Sequence, residues 1–414
     1  MVRCGHHEYG DAARRCTLSK TKRELTLPDL SPFGTEFLKK EWPLLCACAA
    51  PSPDLERIRA LLAAGIDWDV LMDLADEHSV QGLLANRLET VDSADVPSNA
   101  KEKLHERMRA QHIFTLSMTA ELFRLLEDFS KAKIETILVK GPVISLLAYG
   151  DAAMRSYVDL DLIVRHKDIS AATQRMLALG FDADVPASVI EKGKIPGEYL
   201  FTRPGTQRII ELHTERTFRY YPEPMRVEDL FARRRPMLLE GRPVPALSLE
   251  DELVLNCIHG AKHFWERLMW VSDVAAVVTR HPEIDWKKAQ RAAADVGAER
   301  MLRVGVLLAA SLFNTRVPDA LAGELSKDRV CEVLCKQIQG WLPYSGFAPP
   351  PLMRRAKFRA DMAGGGFTGA GYLVRLSLSP TEEDWKEGAE GRRSWIWDAL
   401  RRPFRLIRKY GSGQ

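Results

Sequence analysis

No apolar run in this chain reaches the roughly 18 residues that cross a bilayer, and the N-terminus lacks the charged-then-apolar pattern of a secretory signal. Both absences point to a cytoplasmic protein. An excess of one charge is missing too. The 59 Lys and Arg face 56 Asp and Glu, a net +3, too little to mark a nucleic-acid binder by itself. A disulfide framework is absent: the seven cysteines are odd in number and scattered, as in a reducing compartment. Cys46 and Cys48 flank one alanine, and Cys331 and Cys335 stand one helical turn apart. There is no low-complexity block and no internal repeat. What remains is an ordinary globular composition, 46% hydrophobic and 28% charged, over 414 residues. That length is uncomfortable for one core, so two or three domains are expected.

The texture changes along the chain. Residues 1–30 read as a flexible tail, and 31–131 as a helical region with apolar positions at three- and four-residue spacing. Within it, Ala100 to Ser130 holds neither Gly nor Pro and predicts one long helix. Residues 132–247 alternate strand and helix. Strands are expected at Thr136–Val139, Val158–Val164, Leu200–Thr202, Arg208–Thr214 and Met237–Leu247, with a Pro204-Gly205 turn between two of them. Helices return over 248–341, with Ser248 as an apt N-cap for Leu249-Glu250-Asp251. Residues 342–414 read as a loose Gly/Pro-rich segment with Gly364-Gly365-Gly366, then a basic tail. The expected class is α+β: a small mixed-sheet core flanked by N-terminal and C-terminal helical domains.

The chemistry concentrates in the strand Tyr157-Val158-Asp159-Leu160-Asp161-Leu162. Side chains at i and i+2 share a face, so Asp159 and Asp161 project together. Two unpaired carboxylates that close repel, and a divalent cation removes the conflict because carboxylate oxygens are natural Mg²⁺ ligands. A solvated strand edge is the plainer alternative. Three neighbours favour the metal. Lys140-Gly141 closes a strand and opens a helix, where backbone can approach a phosphate. Arg155 precedes Asp159 by four residues and suits a bidentate phosphate contact. Glu211 interrupts a later apolar strand, Ile209-Ile210-Glu211-Leu212-His213, where an acid is costly to bury without a cation.

This order of features resembles the polymerase-β-like nucleotidyltransferase superfamily. It is most similar to a bacterial family of uncharacterised nucleotidyltransferases, through Leu138-Val139-Lys140-Gly141, Tyr149, Arg155, Asp159-Leu160-Asp161 and Glu211-Leu212-His213. Ser248, Glu250, Asp251, His259, His263, Trp270 and Asp273 match its helical region, so the resemblance spans about residues 135 to 275. It implies transfer of a nucleoside monophosphate from an NTP, ATP foremost, to an acceptor, with release of pyrophosphate. It also implies Mg²⁺, with Mn²⁺ as substitute, on Asp159, Asp161 and Glu211. Lys140, Gly141, Arg155, His213, His259, Lys262 and His263 become the nucleotide- or phosphate-binding candidates, and residues 248–341 a helical domain closing the cleft. The acceptor stays open: a small molecule, peptide or protein bearing a hydroxyl or phosphate. A non-catalytic module that binds a nucleotide or partner within a biosynthetic cluster is the alternative. Two positions depart from the superfamily. Gly141-Pro142 stands where Gly-Ser or Gly-Gly is usual, and the gap from Gly141 to Asp159 is longer.

Three further groups carry open readings. His259 and His263 share a helix face at i and i+4, and serve phosphate or acceptor binding, a half-buried structural pair beside Trp265 and Trp270, or a metal site with His213. Asp273 is expected to orient a neighbouring side chain. Arg392 to Lys409 mixes basic and aromatic residues that could touch an anionic membrane surface or RNA. Cys4, His6, His7 and Cys16 are either zinc ligands or part of the tail.

Overall fold

The computed structural model describes residues 35–192, 197–206, 208–214, 222–223, 226–344 and 352–378, with 402, 404 and 405. The Cys4/His6/His7/Cys16 group and nearly all of the basic tail lie outside the described residues. A 3-10 turn at Glu36–Leu38 leads into α1 (Glu41–Ala49), α2 (Leu55–Ala63), α3 (Trp68–Glu77), α4 (Gln81–Val91) and α5 (Ser98–Lys131). Asp54 and Asp67 start α2 and α3 by accepting from the N–H groups of Arg57 and Val70, which a helix's first turn leaves without partners. The 34-residue α5 is the expected long helix, and Leu104, Met118, Leu122, Leu125 and Phe129 form its buried stripe.

After α5 come β1 (Thr136–Val139), α6 (Gly141–Tyr149), β2 (Asp159–Val164), α7 (Ile169–Ala178), β3 (Asp182–Ala183), α8 (Ala187–Glu191), β4 (Glu198–Thr202), β5 (Ile209–His213), α9 (Val227–Arg233), β6 (Arg235–Leu239) and β7 (Arg242–Ala246). The strands form one mixed sheet in the order β3-β4-β5-β2-β1-β7-β6. At its centre β1 runs antiparallel to β2, and β2 runs parallel to β5. Every residue of β1 is buried, as in a strand covered on both faces.

The single strand expected over Met237–Leu247 is instead a hairpin. Glu240 and Gly241 both adopt positive φ, 46° and 73°, as a tight two-residue hairpin turn requires. The prolines of β7 (Pro243, Pro245) cannot donate, and β7 meets β1 at one register pair, Leu138 with Ala246.

Then follow α10 (Leu249–Lys262), α11 (Leu268–Arg280), α12 (Trp286–Ala294), α13 (Glu299–Phe313), α14 (Asp319–Lys327) and α15 (Arg329–Trp341). Ser248 caps α10 as expected, accepting from Asp251 N–H. The turn after α10 is wedged by Trp265. Its ring occupies space that a Cβ on Gly260 or Gly305 would enter, at 2.7 Å and 3.0 Å. Part of the segment read as loose is helical: α16 (Leu352–Met362) and α17 (Gly366–Leu378) turn on Gly364-Gly365-Gly366, all at positive φ. One continuous apolar core runs from Phe37 to Met362. No described helix is long and apolar enough to cross a membrane.

Candidate active site

The sheet brings together what the chain separates. The β2–β5 register sets Asp161 beside Glu211, and Val139, the last residue of β1, faces Asp161 across the other edge. Lys140 therefore emerges next to the carboxylates. Its Nζ lies 2.7 Å from Asp161 Oδ1, and His213 Nε2 lies 2.7 Å from the same oxygen and 3.3 Å from Glu211 Oε2. Asp161 and His213 are buried, and Glu211 is partly open. Asp161, Glu211 and His213 offer donor atoms within 4.8 Å of one another, a spacing that could hold a cation. Asp159 shares their strand face, two residues before Asp161, and its carboxylate has no hydrogen-bond partner among the described residues.

The charges do not balance. Burial disfavours the ionised form of Asp161, yet Lys140 and the hydrogen bond from His213 outweigh it and hold this carboxyl below the usual range. Burial also works against the charges on Lys140 and His213. The facing acids overcome it, raising the lysine and bringing His213 to about 9, an imidazolium at neutral pH. Asp159 is what remains. Burial, then the charges of Asp161 and Glu211, push its carboxyl up to about 7. Three carboxylates face two cations, and one carboxylate is left over.

Lys140 takes φ 52° and ψ −142°, outside the regions ordinary residues favour, and Gly141 follows at φ 33°. Its backbone N–H donates to Glu252 Oε1 at 2.8 Å. Glu252 is fully buried on α10, its second oxygen has no partner, and burial pushes it up to about 7 despite the hydrogen bond from Lys140. In the sequence Glu252 is hidden among three successive acids, Glu250, Asp251 and Glu252, which all suit a helix's first turn. A usable signal was present. Glu252, Asn256, His259 and the C-cap His263 recur at spacings of four, three and four among Leu253, Val254, Leu255, Cys257 and Ile258, a polar line along an apolar stretch of the helix.

Arg155 lies elsewhere than expected. Its Nε donates to Asp273 Oδ2 at 2.8 Å, and Tyr149 donates to Asp273 Oδ1 at 2.7 Å, so the orienting role expected of Asp273 falls on these two. Arg155 N–H also bonds Ser145 Oγ, which donates to Asp151 C=O. The extra residues between Gly141 and Asp159 are thus tied to α6 and α11, and the Arg155 guanidinium is engaged inside the protein. His259 and His263 face each other at 4.7 Å and flank Trp270 at 5.2 Å and 5.3 Å, while Lys262 pairs with Glu198 at 3.4 Å.

A family model described as "Uncharacterised nucleotidyltransferase" matches residues 64–314, more than half the chain and well beyond the span of the motifs. It takes in helices α3 to α5 before the sheet and α10 to α13 after it. No curated protein and no solved structure matches the chain.

Proposed function

Because the chain belongs to the uncharacterised nucleotidyltransferase family, we propose that it moves a nucleoside monophosphate from an NTP, ATP foremost, to a hydroxyl- or phosphate-bearing acceptor and releases pyrophosphate. The observation that carries this reading is the charge imbalance on the β2–β5 face, where Asp159 stands without a partner beside an engaged Asp161. The donors suit a hard divalent cation. Asp159, Asp161 and Glu211 offer carboxylate oxygens, which suit Mg²⁺ and admit Mn²⁺ in its place. When bound there, such a cation supplies charge stabilisation to the transferring phosphoryl group.

The chain's own residues do the rest. Asp159, Asp161 and Glu211 hold the cation, and Glu211, the most open of the site's directly bonded side chains, faces the acceptor. Lys140 trades its contact with Asp161 for the phosphates, whose charge it neutralises. His213 keeps Asp161 oriented. Arg155 acts at a distance, since its charge favours the ionised form of Asp159 while Asp273 holds it in place.

A non-catalytic nucleotide-binding module is the second reading. It is favoured by Pro142, which lacks an N–H at the first turn of α6, and by the pairing of Asp161 with protein cations. Calorimetric titration with each non-hydrolysable NTP, with and without Mg²⁺, separates the two. Catalysis predicts Mg²⁺-dependent binding that disappears in Asp159→Asn/Asp161→Asn. Metal-independent binding that survives those changes would establish the module instead.

A further inference from the structure

The C-terminal end of α10 carries polar groups that the reaction above leaves unused. His259 and His263 are half-buried, and neither imidazole has a hydrogen-bond partner among the described residues. None of their ring nitrogens is among the buried polar atoms without partners. Trp270 meets both rings and fixes their orientation. His263 acts on His259, and the other groups that act on the pair electrostatically are cationic apart from Glu198: Lys140, Lys262, Arg155 and Arg359. Arg359 arrives from α16, with its Nη2 3.4 Å from the carbonyl of Lys262.

Two chemistries fit half-buried imidazoles without hydrogen-bond partners among the described residues: proton abstraction from an acceptor, or donation to an anion. A general base works best with a pKa near the working pH. Burial first, then for His259 the neighbouring His263, and for both the surrounding cations, hold the two histidines well below their ordinary value and make them poor bases. The same cations favour an anion, and each neutral imidazole still has one N–H to donate. An arriving anion would draw a proton from solvent onto the rings and strengthen those bonds.

We propose that His259, His263 and Lys262 form a phosphate subsite at the C-terminal end of α10, filled by the β,γ-phosphates of the NTP or by a phosphate on the acceptor. The assignment of those two sources rests on the transfer reaction above; the subsite itself does not.

The test uses the full chain in EDTA, titrated with inorganic pyrophosphate and followed by imidazole ¹H–¹⁵N spectra and calorimetry. Pyrophosphate should move the resonances of both histidines and raise their titration midpoints. Its affinity should fall at least tenfold in His259→Gln/His263→Gln and in Lys262→Gln, and should not fall in Asp159→Asn/Asp161→Asn, which takes negative charge away and releases Lys140. The lysine variant, which leaves the aromatic packing intact, decides the matter if the double variant fails to fold. A non-hydrolysable NTP that displaces pyrophosphate identifies the donor's phosphates as the occupant, and one that binds beside it identifies an acceptor phosphate. Unmoved imidazoles, or equal affinity in the variants, would overturn the subsite. Because no metal and no turnover are involved, a failure here leaves the nucleotidyl-transfer reading standing, and the reverse also holds.

Discussion

The two ends of α6 carry two buried ion clusters with opposite accounts. At its C-terminus, Tyr149 and Arg155 both bond Asp273, so one acid is matched by one cation and one hydroxyl. At its N-terminus, Lys140 and His213 converge on a single oxygen of Asp161, while Asp159 has no partner and Glu211 has a long contact. A balanced cluster has little left to offer a ligand, and its value lies in fixing the chain. An unbalanced one stores repulsion that a cation can relieve. The difference separates structure from site on grounds of charge alone.

The sharpest way to break the comparison is to remove one acid from each end. Asp161→Asn should lower turnover by at least about 10³-fold with the fold retained, because charge stabilisation in the transition state is lost. Near-normal activity in that variant would remove the carboxylate face from the mechanism. At the other end, Asp273→Asn leaves the Arg155 charge buried without an opposite partner. Urea unfolding should show a loss of about 3–5 kcal/mol. A change below about 1 kcal/mol would mean that solvent reaches Arg155 and that the cluster is no lock.

The imbalance also predicts a pH dependence. The Asp159 carboxyl has its ordinary value in the unfolded chain and about 7 in the folded one. Between those values the folded state binds the extra proton, so this group's contribution is full at low pH and is lost as pH rises through about 7. Asp159→Asn removes that slope. From about pH 5 to about pH 8 in EDTA, the parent should lose about 2 kcal/mol more than the variant. Mg²⁺ should shrink the gap. The comparison with the variant matters, because His78, His259 and His263 act with the opposite sign. Burial lowers all three, His78 to about 3, so their stabilisation is present above the ordinary histidine value and fades as pH falls below it.

How much of this was legible in the sequence follows from what is local. The paired aspartates needed only the strand's period of two, and Glu211 needed only an acid in an apolar run, so both were readable. The Arg155–Asp273 bond joins residues 118 apart, and nothing local distinguishes an arginine bound for phosphate from one bound for a distant aspartate. The β6–β7 hairpin was missed because Glu240-Gly241 is a weaker turn signal than Asn-Gly or Asp-Gly. The α16–α17 pair was missed because Gly364-Gly365-Gly366 reads as looseness, although here it supplies the three positive φ values of a tight connection.

The smallest expected effect concerns Glu252, the residue that joins α10 to the unbalanced end. It accepts from Lys140 N–H where the backbone is least relaxed, and burial brings its carboxyl close to neutral. If its role is to accept that one hydrogen bond, Glu252→Gln keeps the acceptor without the charge, and stability should change by less than about 1 kcal/mol. Glu252→Ala should cost about 1–3 kcal/mol, because the Lys140 N–H is then left buried without a partner. Equal losses in both variants would show that the carboxylate charge is what matters. Glu252 would then belong with Asp159 in the unbalanced cluster, and the excess negative charge at the head of α6 would be larger than the sheet face alone suggests.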